Sequence, residues 1–275
     1  MSISLPDSFA PNWTDRLRRT ARRGLARLRL AVTAGARIED PAVLALGAVL
    51  VLTAYFLAAP HVDLAVSAAF HEAGAGFPLS QDPVLKALRK SSTWVMGLAL
   101  LGVIGVLVRQ ALRGRPFTSR EARKGWFLLA GLALGPGLLV NGTLKSLWGR
   151  PRPVHLEAFG GEAPYVPVWA ISDFCDANCS FVSGEAASAA WTVAALVLLP
   201  AGVRRWLLWP VLAYAAALSM NRLAFGGHFA SDILLSWALV ALVMAVLWRL
   251  MVESPGAAKC RLRVRRATRP LEAGT

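Results

Sequence analysis

Six long stretches of the chain are apolar and carry few charges: 43–59, 94–108, 126–144, 186–199, 206–219 and 233–252. A helix needs about 20 residues to cross a hydrocarbon layer about 30 Å thick, and several of these stretches are shorter than that. In lipid a single segment satisfies its own backbone polar groups only as a helix, so the pattern predicts six transmembrane helices. Gly135, Pro136 and Gly137 in the third stretch and Pro210 in the fifth are tolerated where neighbouring helices cover them. Trp94, Trp126, Trp206 and Trp248 stand at or near segment ends, where an interfacial belt places them. The expected fold is therefore all-α, a polytopic membrane protein with a six-transmembrane-helix bundle. The first apolar stretch is too long for a cleaved signal peptide and reads as a retained span. Between the first two stretches, residues 85–90 read as a short surface helix lying against the membrane interface.

Composition agrees. Hydrophobic residues make up 56% of the chain, the mean hydropathy is +0.50 and there are ten tryptophans, more apolar material than one soluble core needs. Charge then orients the bundle. Of 30 Lys and Arg, 23 lie in the N-terminal arm, the loop 109–124, the Arg204-Arg205 turn and the C-terminal end, against seven on the other side. The positive-inside bias places both termini in the cytoplasm of a bacterial inner (plasma) membrane protein. The chain divides into a basic cytoplasmic arm (1–40), a six-span domain (41–252) and a basic cytoplasmic tail (253–275). Eight arginines in the arm and six basic residues at 259–269 suit anionic headgroups of the lipid bilayer. They flank spans and lack interleaved aromatics, so no nucleic acid is expected as a partner. Cys175 and Cys179 fall in the long non-cytoplasmic loop and Cys260 in the tail; the spacing permits a Cys175–Cys179 disulfide or two free thiols.

The chemistry-bearing residues sit where apolar helices end on the non-cytoplasmic side, a placement that marks function. The string K-S-L-W-G-R-P-R-P supplies Lys145, Arg150 and Arg152, three cations suited to an anion. The string C-S-F-V-S-G-E-A-A-S puts Ser183 and Gly184 at a helix start, where backbone N–H groups and the helix dipole favour an anion and where simple N-capping by Ser183 is the alternative. The string N-R-L-A-F-G-G-H-F-A-S-D holds Arg222, His228 and Asp232. The four-residue step from His228 to Asp232 puts both on one helical face, so that Asp232 can orient the imidazole. A neutral imidazole held in this way is a nucleophile towards phosphorus, with Lys and Arg stabilising charge on the equatorial oxygens. Elsewhere, His61 and His71 read as solvated, and their spacing makes no metal site.

Together, in this order between helices, the three strings resemble the type 2 phosphatidic acid phosphatase superfamily, whose pattern is K-x6-R-P, then P-S-G-H, then S-R-x5-H-x3-D. Lys145 with Arg152-Pro153 fits the first element; Arg222, His228 and Asp232 fit the third, with Asn221 in place of its leading serine. The resemblance implies a phosphohistidine intermediate on His228 assisted by Asp232. It implies a phosphate held by Lys145, Arg152, Ser183, Gly184 and Arg222, an active site at the non-cytoplasmic surface, and no metal or cofactor. The middle element departs: Val182 replaces proline, and Glu185 stands where the family has the histidine that protonates the leaving group. Surrounding Lys and Arg favour the carboxylate form of Glu185, a weaker general acid. His155 could supply an imidazole if its loop folds back.

The expected function is therefore a membrane lipid phosphatase acting on a phosphate monoester or diphosphate, of lipid A, undecaprenyl diphosphate or phosphatidylglycerol phosphate type. A good leaving group, a diphosphate or a sugar 1-phosphate, would suit Glu185 best. The alternatives are a lipid phosphotransferase using the same site and a non-catalytic membrane protein that binds phosphorylated lipids.

Overall fold

The computed structural model describes residues Asp40–Glu253; the basic arm, the basic tail and Cys260 lie outside the described residues. Seven helices and no named strand occur among those described. They are α1 (Pro41–Ala58), α2 (His61–Ala68), α3 (Pro83–Leu112), α4 (Arg120–Leu147), α5 (Gly184–Leu198), α6 (Ala201–Ala224) and α7 (Ala230–Met251). Four of them, α1, α3, α4 and α7, are long and apolar enough to cross a membrane. The remaining two of the six expected spans are different in kind. Helix α5 is apolar but short, and α6, at 24 residues, carries Arg204, Arg205 and Arg222. Helix α5 packs inside the bundle against α3, α4, α6 and α7, whereas α6 leans mainly on α5 and leaves most of its first ten residues exposed, Trp206 and Trp209 among them.

Local chemistry sets the helix ends. Asp82 Oδ1 accepts the Leu85 N–H at 2.9 Å, and Pro83 occupies the first turn, where its missing N–H costs nothing. No breaker follows, so α3 runs 30 residues without interruption. The separate surface helix expected at 85–90 is instead the polar first turns of this helix, which at 1.5 Å per residue reaches about 45 Å and outspans a bilayer core. Ser119 caps α4 in the same manner. Pro136 interrupts α4 by removing a donor, and the helix widens to π geometry over Ala133–Leu144. Side chains five residues on satisfy carbonyls there: Asn141 Nδ2 donates to Pro136 O at 2.6 Å and Thr143 Oγ1 to Leu138 O at 3.0 Å.

The core lies between α4, α5 and α7, around Leu128, Val140, Trp191, Leu235 and Val240. Trp191 is fully buried, and its indole N–H donates to Leu128 O at 2.8 Å. Leu50, Val51 and Leu57 on α1 and Leu98 and Leu101 on α3 are exposed, an apolar surface suited to lipid. The connection from α4 to α5 folds over one end of the bundle in two short 3₁₀ turns, and Cys175 and Cys179 within it are joined as a disulfide. His71 is not simply solvated: it packs on Phe77 and Phe159 at 5.4 and 5.1 Å between ring centres.

Candidate functional site

Gly149 turns the chain just after α4. Its φ is +60°, and a Cβ there would fall on the Ser172 carbonyl, so only glycine fits. The turn sends two arginines in opposite directions. Arg152 stays partly exposed, and its Nη2 donates to Asn178 O at 2.7 Å. Arg150 goes inward and has no solvent exposure, contrary to the expectation that it faces an anion beside Lys145 and Arg152. Its Nη1 donates to Asp232 Oδ1 at 2.6 Å and Ser231 Oγ at 2.9 Å, its Nη2 to Asp63 Oδ2 at 2.8 Å, and its Nε to Val166 O at 2.8 Å. The guanidinium also lies 4.2 Å from the centre of the Phe229 ring. Burial opposes its charge, yet Asp232 and Asp63 more than offset that and raise its pKa. Tyr165 donates to Asp63 at 3.2 Å; burial and the Asp63 charge push its pKa up, so it remains a neutral donor.

Asp232 lies at the start of α7 with its second oxygen fully used. Oδ2 accepts the Ser180 hydroxyl and, at 2.9 Å, the Phe229 N–H. His228 Nδ1 bonds the Ser180 carbonyl at 2.8 Å, and Asp232 Oδ2, expected to orient the imidazole, stands 3.8 Å from that nitrogen. Ser180 is thus the intermediary, tied to Asp232 through its hydroxyl and to His228 through its carbonyl. A carbonyl only accepts, so Nδ1 carries the proton and Nε2 keeps its lone pair. Burial lowers the His228 pKa to about 4; Asp232 pulls it upward, but the charges of Arg222 and Lys145 add to the lowering. The imidazole is neutral at neutral pH.

Around it gather the other expected residues. Arg222 is 3% exposed, and its guanidinium lies so close to the Gly227 backbone that a Cβ at 227 would collide with it. Glu185, in the first turn of α5, meets Arg222 Nε at 3.5 Å and Arg89 Nε at 3.0 Å. Ser183 Oγ caps α5 by accepting from Ala186 N at 3.4 Å, and Gly184 approaches Asn141 with no room for a side chain. Two hollows meet at Glu185. One, of about 660 Å³, is a polar basin that includes Lys86, Arg89, Lys90, Arg152 and Arg222; the other, of about 190 Å³, is a cleft between α3, α4, α5 and α6 that takes in Lys145, Gly184, Met96 and Leu218. His155 is exposed and lines neither hollow. Among the described residues no three His, Cys, Asp or Glu side chains cluster to hold a metal ion.

A basic basin thus lies at the same end of the bundle as a helix start and a neutral imidazole, that of His228, which is 1% exposed and lines neither hollow. Residues 124–255 match the family model described as the PAP2 superfamily. The chain carries a PAP2-superfamily domain. Three lipid A 4'-phosphatases are similar to it: from Rhizobium etli, 44% identical over 134 residues, covering 49% of this chain and 52% of the relative; from Rhizobium leguminosarum, 40% identical over 134 residues, covering 49% and 58%; and from Francisella tularensis subsp. novicida, 38% identical over 127 residues, covering 46% and 57%. The match thus spans a little over half the length of these relatives. No solved structure matches the chain.

The PAP2 domain holds every site residue expected from the sequence, and the structure brings them to one end of the bundle. It does not hold Asp63, Lys86, Arg89 or Lys90, which precede it and went unnoticed in the sequence. A carboxylate in a short helix directly after an apolar span was the one signal for Asp63. Arg89 left none, since its partner Glu185 is 96 residues away.

Two outcomes test this geometry. Asp63→Asn removes one of the two charges that compensate Arg150, and leaving a buried ion short of its partner costs about 3–5 kcal/mol, read as a lowered thermal midpoint in detergent; an unchanged midpoint would contradict it. For His228 the folded pKa of about 4 lies below the ordinary value near 6.5, so the unfolded chain binds more protons between those pH values. Stability therefore falls as pH drops from about 6.5 towards 4, by about 3 kcal/mol in all. His228→Gln should flatten that part of the pH–stability curve.

Proposed function

We propose that the protein is a lipid phosphatase of the membrane, acting on a phosphorylated glycolipid of lipid A type at the non-cytoplasmic face, with its termini in the cytoplasm. The observation that carries the reading is the His228 imidazole, neutral and bonded through Nδ1 to the Ser180 carbonyl, which leaves Nε2 to attack phosphorus. The names of the three relatives supply the substrate class, and the lateral cleft between α3 and α6 suits entry of a lipid from the bilayer.

In the first step Nε2 of His228 bonds to phosphorus and the ester P–O bond breaks. Arg152, Arg222 and Lys145, with the N–H groups at Ser183 and Gly184, stabilise charge on the equatorial oxygens. The departing sugar oxygen needs a proton. The acid form of Glu185, which stands beside Arg222 in the first turn of α5, is the group assigned to give it. In the second step water attacks the phosphohistidine, Glu185 takes the water's proton, and inorganic phosphate leaves with His228 restored. A phosphotransferase would differ only in the acceptor of that step.

The salt bridges of Glu185 also favour a second reading, a lipid-binding protein whose anion site is filled from within. Phosphate release separates the two. Purified protein offered phosphatidic acid, phosphatidylglycerol phosphate, undecaprenyl diphosphate and lipid A should release phosphate from lipid A, with His228→Ala at least a thousandfold slower. In sealed right-side-out vesicles, vanadate added outside should stop the reaction. No release from any lipid would favour the binding protein, and inhibition only after lysis would put the site on the cytoplasmic face.

A further inference from the structure

The chemistry above leaves Lys86 and Lys90 unused and needs Arg89 only as a partner of Glu185. All three precede the PAP2 domain, in the first turns of α3, and their spacing of three and four residues puts them on one helix face. That face borders the basin shared with Arg152, Arg222 and Glu185. At about 660 Å³ the basin falls in the range of roughly 300–1,000 Å³ that encloses a drug-sized ligand, far more than a lone phosphate fills.

Charge leads to the same place. Five cations and one carboxylate border the basin, leaving four positive charges, of which a phosphate monoester dianion neutralises two. Lys86 Nζ is held at 2.8 Å by Gln81 Oε1, a neutral acceptor that fixes its position without cancelling its charge. Arg222 Nε is buried without a hydrogen-bond partner. Cations are scarce on the side of the membrane that the positive-inside bias avoids, yet three of the seven there sit on this helix face.

We propose that Lys86 and Lys90, with Arg89, form a second anion subsite, which takes another acidic group on the headgroup of the same lipid whose scissile phosphate meets His228. The group is a phosphate or a sugar-acid carboxylate, since both offer the oxygen anions that ammonium and guanidinium groups bind. The proposal rests on the phosphatase reading and adds to it that the substrate is a glycolipid with at least two acidic groups.

The test uses the full-length protein in a neutral detergent and three lipid A-type probes: one with a single phosphate, the same with a second phosphate, and the same single-phosphate lipid bearing an acidic sugar. Affinities are measured on His228→Ala, so that no probe is consumed, and on His228→Ala with Lys86→Gln and Lys90→Gln. Both lysines are exposed, so their replacement leaves the packing intact. At least one probe with two acidic groups should bind ten times tighter than the single-phosphate probe, and the lysine substitutions should abolish that gain; the probe that gains names the acid. Equal affinity for all three, or a gain that survives the substitutions, would overturn the subsite. So would an equal gain for the single-phosphate probe on adding phosphatidylglycerol, because the lysines would then be contacting bulk lipid. Folded protein with His228 intact that releases no phosphate from any probe, while the affinity gain persists, would overturn the phosphatase reading and keep the subsite.

Discussion

A guanidinium without solvent around it must find carboxylates and other acceptors or it will not stay buried, since the penalty for stripping water from an ion is several kcal/mol even after relaxation. Arg150 finds them on both sides, Asp63 from α2 and Asp232 from α7, with Ser231, Tyr165 and the Val166 carbonyl completing its bonds. Ser231 also donates its N–H to Asp63 at 2.9 Å, which docks α2 onto the start of α7. The orientation of His228 depends on this knot, because Asp232 fixes the Ser180 hydroxyl and the Ser180 carbonyl fixes Nδ1. A segment outside the PAP2 domain thereby sets the geometry inside it.

The seven Lys and Arg outside the basic segments divide by task. Arg150 is spent internally on two carboxylates, Lys145 and Arg222 act on the imidazole, and Arg152 borders the basin. Lys86, Arg89 and Lys90 border the basin from α3. Burial keeps His228 neutral, and the Arg222 and Lys145 charges that add to this are among those that would hold a phosphate in the proposed reaction. Glu185 sits at its centre as the anion already present.

Much of this was legible in the chain. The apolar stretches marked α1, α4 and α7, and the three ordered strings named Lys145, Arg152, Ser183, Gly184, Glu185, Arg222, His228 and Asp232, all of which meet at one end of the bundle. What was not legible is long-range. Arg150 and Arg152 look alike in sequence, and only the turn at Gly149 sends one inward and the other to the basin. The i,i+4 spacing of His228 and Asp232 brought them near each other, but the shorter bond went to Ser180, 48 residues away. Residues 85–90, with three basic side chains, looked like a separate surface helix because hydropathy sees lipid-facing segments, whereas the cap at Asp82 and the absence of Gly or Pro from Val84 to Met96 carried α3 through them.

The account stands on a phosphoryl group passing through His228, and the stereochemical course at phosphorus tests that most directly. A lipid A-type substrate with an isotopically chiral thiophosphate would be hydrolysed in isotopically labelled water and the configuration of the released thiophosphate determined. Two in-line displacements, first by Nε2 and then by water, predict retention. Inversion would mean that water attacks in a single step, and would contradict the role given to His228 and to the buried frame that orients it.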